Sequence, residues 1–292
     1  MQSNFRHIAE ELRRQVEDAL FAVGLLARVF ARGKDQDSLN YKIQRSPGKY
    51  SAYGKLIQDA IGIRVALYFA DDIPLVKSIL ESKYRFDQAS STIDKPDRDQ
   101  FSVTRYNLVF RLPDDLIGGF TRASAGEPID TCFEVQLRSV LSEGWHEVEH
   151  DLRYKAKENW RDHDDLSRAL NGVVATLETS EWSMGRIFDE LAYRHYKQKN
   201  WSAMLPNLFR IRVRGNVSES LSNVLNLDPV AAKDLARVDR ARLILSLFAA
   251  RPRVPVTMEN LVLFWNAIGP RHDSLLQVTP ALILDAATSL HQ

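Results

Sequence analysis

Two acidic residues stand at the ends of predicted strands, where a rigid backbone can hold a side chain that faces a cleft. Asp59 comes just before the run IGIRVALYF, and Glu134 lies within TCFEVQLRS. Carboxylates that converge from neighbouring strands suit proton abstraction and suit Mg²⁺, which prefers a few hard oxygen ligands together with nucleotide phosphates. Acidic residues at strand ends are also commonly solvated, so the spacing alone leaves both interpretations open.

Glu134 shares its predicted strand with two more polar side chains. Alternate residues of a strand lie on the same face, so we expect Gln136 and Arg138 on the face of Glu134. Burying three polar side chains without partners costs free energy. The pattern therefore indicates either a ligand-binding face or the wet face of an edge strand.

The elements that precede Glu134 combine helices with strands. Apolar residues recur at helical spacing over residues 5–30, which predicts an amphipathic helix ending near Gly33. Residues 35–55 are polar and show no sustained period. Residues 61–69 are rich in β-branched and aromatic residues, which predicts a buried strand, and Asp71 with the residue after it predicts the start of a capped helix.

The remaining pattern completes an α/β (α+β) domain. Further strands are predicted at 84–87, 102–111 and 131–137, turns at 118–119 and 126–128, and long helices at 141–155 and 166–198. This order predicts a mixed sheet of about five strands flanked by helices. We expect this domain to occupy residues 1–200 and a helical extension, punctuated by prolines, to occupy residues 201–292.

Composition narrows the class of protein. The 292 residues carry 39 Lys+Arg and 38 Asp+Glu, and 45% are hydrophobic, which excludes a disordered chain and a general nucleic-acid coat protein. The near-zero total conceals basic flanks of +4 over residues 1–55 and +3 over 202–292 around a middle of −6. Cys132 is the single cysteine. With no signal peptide and no long apolar run evident, we expect a soluble cytoplasmic protein without a membrane segment.

Three blocks of sequence resemble the RelA/SpoT nucleotide pyrophosphokinases. Residues 133–155, FEVQLRSVLSEGWHEVEHDLRYK, resemble the family strand E-x-Q-x-R and the following helix W-x-E-x-E-H-x-x-x-Y-K. Residues 58–72, QDAIGIRVALYFADD, resemble the D-x-x-G-x-R strand with its acidic pair. Residues 99–113 resemble the next strand in their LVFRLP half. The blocks follow the family's order within residues 40–200, and that combination is more specific than any one motif.

The resemblance implies a nucleotidyltransferase-like synthetase domain. Such a domain moves the β,γ-pyrophosphate of ATP to a ribose 3′-hydroxyl and releases AMP. The usual acceptor is GTP or GDP, and the product is a guanosine alarmone, ppGpp or pppGpp, of the stringent response; some toxin relatives modify the 3′ end of tRNA instead. The family's hydrolase is a separate amino-terminal domain, and only one helix is predicted before the synthetase-like region, so alarmone hydrolysis is not expected.

The resemblance also implies roles for individual residues. Asp59 would hold Mg²⁺, and Glu134 would hold Mg²⁺ or act as the base. Gln136 would orient the acceptor nucleotide, and Arg64 would lie against the adenine or the phosphates of ATP. The alternatives are that Arg64 pairs with Asp59 or Asp71 and that Gln136 caps a neighbouring loop.

The acceptor motif departs from the family pattern. Val103 stands where the family has the Tyr that stacks on the acceptor base, and Asn107 stands where it has a His. Either Phe101 or Tyr106 replaces the missing ring after a shift in register, or the acceptor differs. Replacement by Tyr106 needs a local bulge or loop rearrangement, because a one-residue shift reverses every face of a strand. We therefore predict acceptor contacts from Gln136, Tyr106 and Asn107.

The predicted ATP-binding segment is also imperfect. Residues 41–55 keep the beginning of the family motif, with shifted basic positions. Four cations, Lys42, Arg45, Lys49 and Lys55, are predicted to face the polyphosphate, and the alternative is a solvated loop.

Three hypotheses follow for function. The first is an alarmone synthetase that uses ATP, a guanine nucleotide and Mg²⁺. The second keeps the transfer but takes tRNA as acceptor, and the third is a degenerate member that binds a nucleotide or a protein without catalysis. Residues 201–292 would pack on the domain, form a homo-oligomer interface or sense a partner.

Overall fold

The structure, a computed structural model, describes residues 4–51, 54–94, 105–124, 127–213 and 215–290. The chain forms two compact units. The first comprises Met1–Asp18 with Ala27–Trp182, and the second comprises Ala19–Leu26 with Ser183–Gln292. The predicted domain boundary near residue 200 stays a prediction.

A five-stranded sheet organises the first unit. Its strands are β1 Ala27–Gly33, β2 Ile61–Leu67, β3 Phe86–Asp94, β4 Arg105–Arg111 and β5 Cys132–Ser139. Its helices are α1 Asn4–Phe21, α2 Gln36–Arg45, α3 Ile73–Lys83, α4 Asp114–Ala123, α5 Val140–Glu149 and α6 Asp164–Lys197, of which α1 and α6 continue into the second unit. A π-helical turn, His150–Tyr154, follows α5.

The strand order is β1-β2-β5-β4-β3. The β2 and β5 strands run parallel, and the other neighbouring pairs are antiparallel. The predicted mixed sheet of five strands flanked by helices is confirmed. The order places β5 in the centre of the sheet, where it is hydrogen-bonded on both sides.

One face of this sheet is an apolar core. Phe110 of β4 and Phe133 of β5 are fully buried, with ring centroids 5.7 Å apart. Tyr84 lies edge-on to Phe133 at 5.2 Å, and Phe86 lies 5.4 Å from Phe110. Aromatic pairs at these separations add favourable contacts to the burial of apolar area, so this cluster holds β3, β4 and β5 against one another.

The long helix predicted over residues 5–30 is wrong in its second half. The α1 helix ends at Phe21, and residues Ala27–Gly33 form β1. Gly24 has a φ of +73°, and a Cβ there would lie 2.9 Å from the carbonyl oxygen of Arg212. This position needs glycine, the chain turns there, and the following residues gain a full antiparallel ladder with β2, which a continued helix would lack.

Three further local predictions are corrected. The polar stretch after Asp35 contains α2, because the Asp35 side chain accepts a hydrogen bond from the backbone N–H of Ser38 at 2.7 Å and caps the helix. The predicted turn at Gly118 and Gly119 lies inside α4. The β3 strand runs on to Asp94, beyond its predicted end. Residues 102–104 of the predicted fourth strand lie outside the described residues.

The second unit is helical, as predicted for the carboxyl-terminal region. Its helices are α7 Trp201–Phe209, α8 Glu219–Leu227, α9 Pro229–Leu235, α10 Arg240–Ala250, α11 Met258–Ile268, α12 Asp273–Leu276 and α13 Ala281–Ser289. Side chains of Ser218, Asp239 and Thr257 cap three of them by accepting backbone N–H bonds at 3.0–3.1 Å. Among the described helices, none has the length and apolar character needed to cross a bilayer.

The aromatic cluster leads to a stability prediction. Replacing Phe110 by alanine leaves a cavity among rings that cannot close it, so the free energy of unfolding is expected to fall by about 3–5 kcal/mol. Phe30 is the matched control, because its ring is 50% exposed and its replacement by alanine is expected to cost less than about 1 kcal/mol. Urea denaturation measures both, and equal losses would contradict this core assignment.

Candidate active site

The other face of the sheet carries a row of polar side chains. The register places Arg64 of β2 beside Gln136 of β5, and Gln136 beside Asn107 of β4. Glu134 lies two residues before Gln136 on the same face, and the Gln136 amide donates to Glu134 Oε2 at 3.5 Å. Arg138 donates to Gln136 Oε1 at 3.3 Å. The predicted shared face of Glu134, Gln136 and Arg138 is what the structure shows.

Asp59 is held by two lysines. Lys34 Nζ donates to Oδ2 at 2.5 Å, and Lys42 Nζ donates to Oδ1 and Oδ2 at 2.7 and 2.8 Å. Burial favours the neutral form of Asp59, but the two lysines outweigh burial and lower its pKa. Burial lowers the pKa of Lys34. Burial also acts to lower the pKa of Lys42, but the contacts of Lys42 with Asp59 outweigh burial and raise it. Asp59 and its two lysines together carry one net positive charge, which suits an anionic ligand.

Glu134 has the opposite electrostatic environment. Its pKa is raised, first by burial and then by the negative charge of Asp59, while the Gln136 hydrogen bond and the two lysines oppose this shift weakly. Asp59 comes just before β2, and Gly62 of β2 pairs with Glu134 in the ladder, so the two carboxylates belong to neighbouring strands of the sheet. A carboxylate with a raised pKa is a stronger proton acceptor, so the arrangement suits general-base chemistry next to a cationic group.

Arg64 pairs with two carboxylates that the sequence interpretation missed. Its Nη1 donates to Glu143 Oε1 at 2.5 Å and also to Glu147, both on α5. Glu143 additionally pairs with Arg138 at 3.1 Å. A helix directly after β5 returns these side chains to the polar face, and α5 contacts both β2 and β5.

The predicted cationic segment is only partly assembled around Asp59. Lys42 contacts the carboxylate, whereas Arg45, Lys49 and Lys55 have exposed side chains. Lys34 takes the second position on Asp59 and was missed, because residues up to Gly33 were assigned to a helix. Recognising 27–33 as a strand would have placed Lys34 at its end, beside the residues that precede β2.

The predicted acceptor residues separate onto two faces. Asn107 lies beside Gln136 on the polar face, and its Oδ1 is buried without a hydrogen-bond partner among the described residues. Tyr106 lies opposite Leu137, on the apolar face. The ladder with β5 is regular from Tyr106 to Arg111 and keeps Tyr106 on the apolar face; the register shift in the ladder with β3 lies in β3, between Asp87 and Thr92. Phe101 and Val103 lie outside the described residues.

The donor set fits a metal that completes its shell with substrate oxygens. Within the described residues, no group of three or more His, Cys, Asp or Glu side chains is arranged to hold a metal ion. Asp59, just before β2, and Glu134 of β5 are carboxylates at neighbouring strands, and Mg²⁺ in nucleotide sites is commonly held by one or two carboxylates together with phosphates and water. This pair matches that requirement.

A cavity of about 720 Å³ lies elsewhere in the first unit. It is lined by residues at the ends of β4 and α3 and at the start of α4, including Tyr84, Arg85, Arg111 and Asp114. None of the predicted site residues lines it, so the chemistry described above belongs to the open polar face of the sheet.

Comparison with known proteins identifies the region that contains this face. Residues 31–159 match the profile described as the region found in RelA/SpoT proteins, which confirms the resemblance seen in the three sequence blocks. GTP pyrophosphokinase YjbM of Bacillus subtilis (strain 168) is 26% identical over 103 residues, 35% of this chain and 45% of that protein. The chain thus matches less than half the length of this curated relative.

Two solved structures are among those to which the chain was compared. A GTP pyrophosphokinase family protein from Streptococcus pneumoniae is 21% identical, with 64% of this chain and 90% of that chain covered and a TM-score of 0.47. The small alarmone synthetase 1 from Bacillus subtilis bound to its product pppGpp is 19% identical, with 65% and 95% covered and a TM-score of 0.46.

The contrasting environments of the two carboxylates predict opposite stability effects. The folded-state pKa of Glu134 lies above its unfolded value, so ionised Glu134 opposes folding increasingly as the pH rises through that pKa. Glu134→Gln is therefore expected to be as stable as the wild type or more stable, and its advantage should grow towards neutral pH. Thermal denaturation in metal-free buffer between pH 4 and pH 8 measures this advantage.

Asp59→Asn is the matched comparison. The folded-state pKa of Asp59 lies below its unfolded value, so its ionised form stabilises the fold above the unfolded pKa, and this contribution disappears as the pH falls through the folded pKa. The variant leaves Lys34 and Lys42 facing each other, which is expected to cost about 1–3 kcal/mol at neutral pH. Equal melting shifts for the two variants would contradict the assigned electrostatics.

Proposed function

We propose that the RelA/SpoT region at residues 31–159 transfers the β,γ-pyrophosphate of ATP to the 3′-hydroxyl of GTP or GDP. The products would be AMP and a guanosine alarmone. The observation that carries this proposal is the juxtaposition of two carboxylates at neighbouring strands: Asp59, bound by two lysines just before β2, and Glu134 of β5, whose pKa is raised.

The chemistry assigns Glu134 the role of base. The acceptor 3′-oxygen forms a bond to the β-phosphorus of ATP while the bond between the α,β-bridging oxygen and that phosphorus breaks. AMP leaves with the bond's electron pair, and the hydroxyl proton passes to the carboxylate. A base is useful here because a neutral hydroxyl is a weak nucleophile, and a raised pKa brings Glu134 closer to the operating pH.

The lysines are suited to the polyphosphate of the donor. Lys34 and Lys42 converge on Asp59 and leave one positive charge unbalanced, so phosphate oxygens would find two ammonium groups already in place. Arg45, Lys49 and Lys55 are exposed in the segment that contains Lys42 and would add positive charge for the polyphosphate. Asp59 and Glu134 would hold Mg²⁺, which when bound neutralises charge on the polyphosphate.

The acceptor would lie along the amides of Gln136 and Asn107. The buried, unpartnered Oδ1 of Asn107 needs a donor, and a nucleotide hydroxyl or amino group can supply one. Asn107 would therefore contribute by hydrogen bonding in the part of the site where the related motif carries His. Val103 still lacks a stacking ring, so the acceptor is expected to depend more heavily on these amides.

Cellular context follows from the substrates. ATP and guanine nucleotides are abundant in the cytoplasm, which is where we place the activity. Cys132 is buried, and burial with nearby Asp130 raises the pKa of its thiol to about 12, so it is unreactive there. Self-association through residues 201–292 stays a prediction.

A transfer assay tests the proposed reaction. Protein, Mg²⁺ and γ-labelled ATP are incubated with GDP, GTP or bulk tRNA, and label is expected on the guanine nucleotide. Label on tRNA instead would assign the acceptor to RNA, and no transfer with any acceptor would favour a degenerate binding protein. Glu134→Gln is expected to reduce transfer by at least about 100-fold while remaining folded.

The acceptor assignment has a separate test. Asn107→Ala removes the unpartnered acceptor atom, and its loss is expected to raise the KM for the guanine nucleotide by about three- to tenfold. The KM for ATP serves as the internal control and is expected to remain unchanged. A rise in both KM values would show that Asn107 supports the whole sheet face.

A further inference from the structure

The pairing of Arg64 with α5 is uneven. Both carboxylates contact the same nitrogen, Nη1, but Glu143 is only 13% exposed whereas Glu147 is 50% exposed. Glu143 is also shared with Arg138, whose side chain is 4% exposed. Glu143 therefore compensates a buried cation, while Glu147 is the more exposed of the two partners of Arg64.

The net charge of this cluster depends on Glu147. With it, Arg64 and Arg138 are balanced by two carboxylates, and without it the cluster would carry one positive charge. Arg64 stands in the same row as Gln136 and Asn107, on the face where the nucleotides are placed. A polyphosphate that approaches this row meets a negative group where an unpaired arginine would attract it.

Releasing Glu147 is inexpensive. Ion pairs that are largely solvent-exposed contribute little to stability, because water and salt screen them and two long side chains must be held in place. Solvent can take over the carboxylate of Glu147 once it leaves Arg64, whereas Glu143 is 13% exposed and also pairs with the buried Arg138. Of the two contacts on Nη1, the one with Glu143 is therefore permanent and the one with Glu147 is displaceable.

We propose that Glu147 is a positioning residue that acts through Arg64 to weaken binding of the nucleotide polyphosphate. Its carboxylate pairs with Arg64 and gives way when an ATP-class anion binds. This inference rests on the proposed function, because it takes ATP as a ligand of the polar face.

Glu147→Gln tests the proposal in the full-length chain. The KM for ATP and the Kd for a non-hydrolysable ATP analogue are expected to fall by about three- to fivefold, with kcat unchanged. Because the effect is electrostatic, it should shrink as the salt concentration rises from about 0.05 M to 0.5 M. If Glu147 had only a structural role, its replacement would change the melting temperature but would not lower the KM for ATP at an unchanged kcat.

Two variants serve as controls. Glu158→Gln makes the same charge change in another exposed pair, that with Arg161, and is expected to leave the Kd unchanged. Glu143→Gln removes the carboxylate that pairs with buried Arg138 and is expected to lower the melting temperature, which Glu147→Gln should leave within about 2 °C of the wild type.

The outcomes separate the two proposals. If the wild type binds the analogue and Glu147→Gln binds it equally or more weakly, the role of Glu147 is overturned and the proposed function stands. If neither protein binds it at millimolar concentration, both are overturned. Tighter binding by Glu147→Gln supports the role even where transfer is undetectable.

Discussion

The parallel hydrogen-bond ladder between β2 and β5 determines the geometry of the site. It sets Arg64 beside Gln136 and Gly62 beside Glu134, and the antiparallel ladder to β4 adds Asn107 to the same row. Because β5 is hydrogen-bonded on both sides, its alternate residues lie on two fixed faces of the sheet. Phe133 and its apolar neighbours enter the core, and the polar residues between them face outward from a backbone that cannot slip by one residue.

The polar face is built from small groups of opposite charges, each nearly balanced. Asp59 has two lysines, and Arg64 and Arg138 share two glutamates. Glu134 is the exception, since burial and the charge of Asp59 both disfavour its ionised form. The site stabilises the ionised form of Asp59 and destabilises that of Glu134. Two chemically similar groups are thereby suited to different tasks, Asp59 to an electrostatic one and Glu134 to proton transfer.

This distribution gives the overall charge a more specific meaning. The near-zero total and the acidic middle of the sequence suggest little affinity for phosphate. In the fold, Lys34 and Lys42 from the basic flank meet Asp59 at the edge of that middle segment. Positive and negative charges that are separated along the sequence therefore lie side by side at the site. The net charge of these neighbouring groups decides which ligand is favoured.

The sequence by itself determined the elements whose signals are local: the β2 and β5 strands, the alternation of Glu134 and Gln136 on one face, and the motifs of the RelA/SpoT region. Only the tertiary structure showed that β1 is a strand, since its evidence is a ladder with β2. Tertiary structure likewise placed Lys34 on Asp59, 25 residues away, and the glutamates of α5 on Arg64, 79 and 83 residues away. Periodicity reports what neighbouring residues share, whereas an ion pair depends on where the sheet order brings distant segments together.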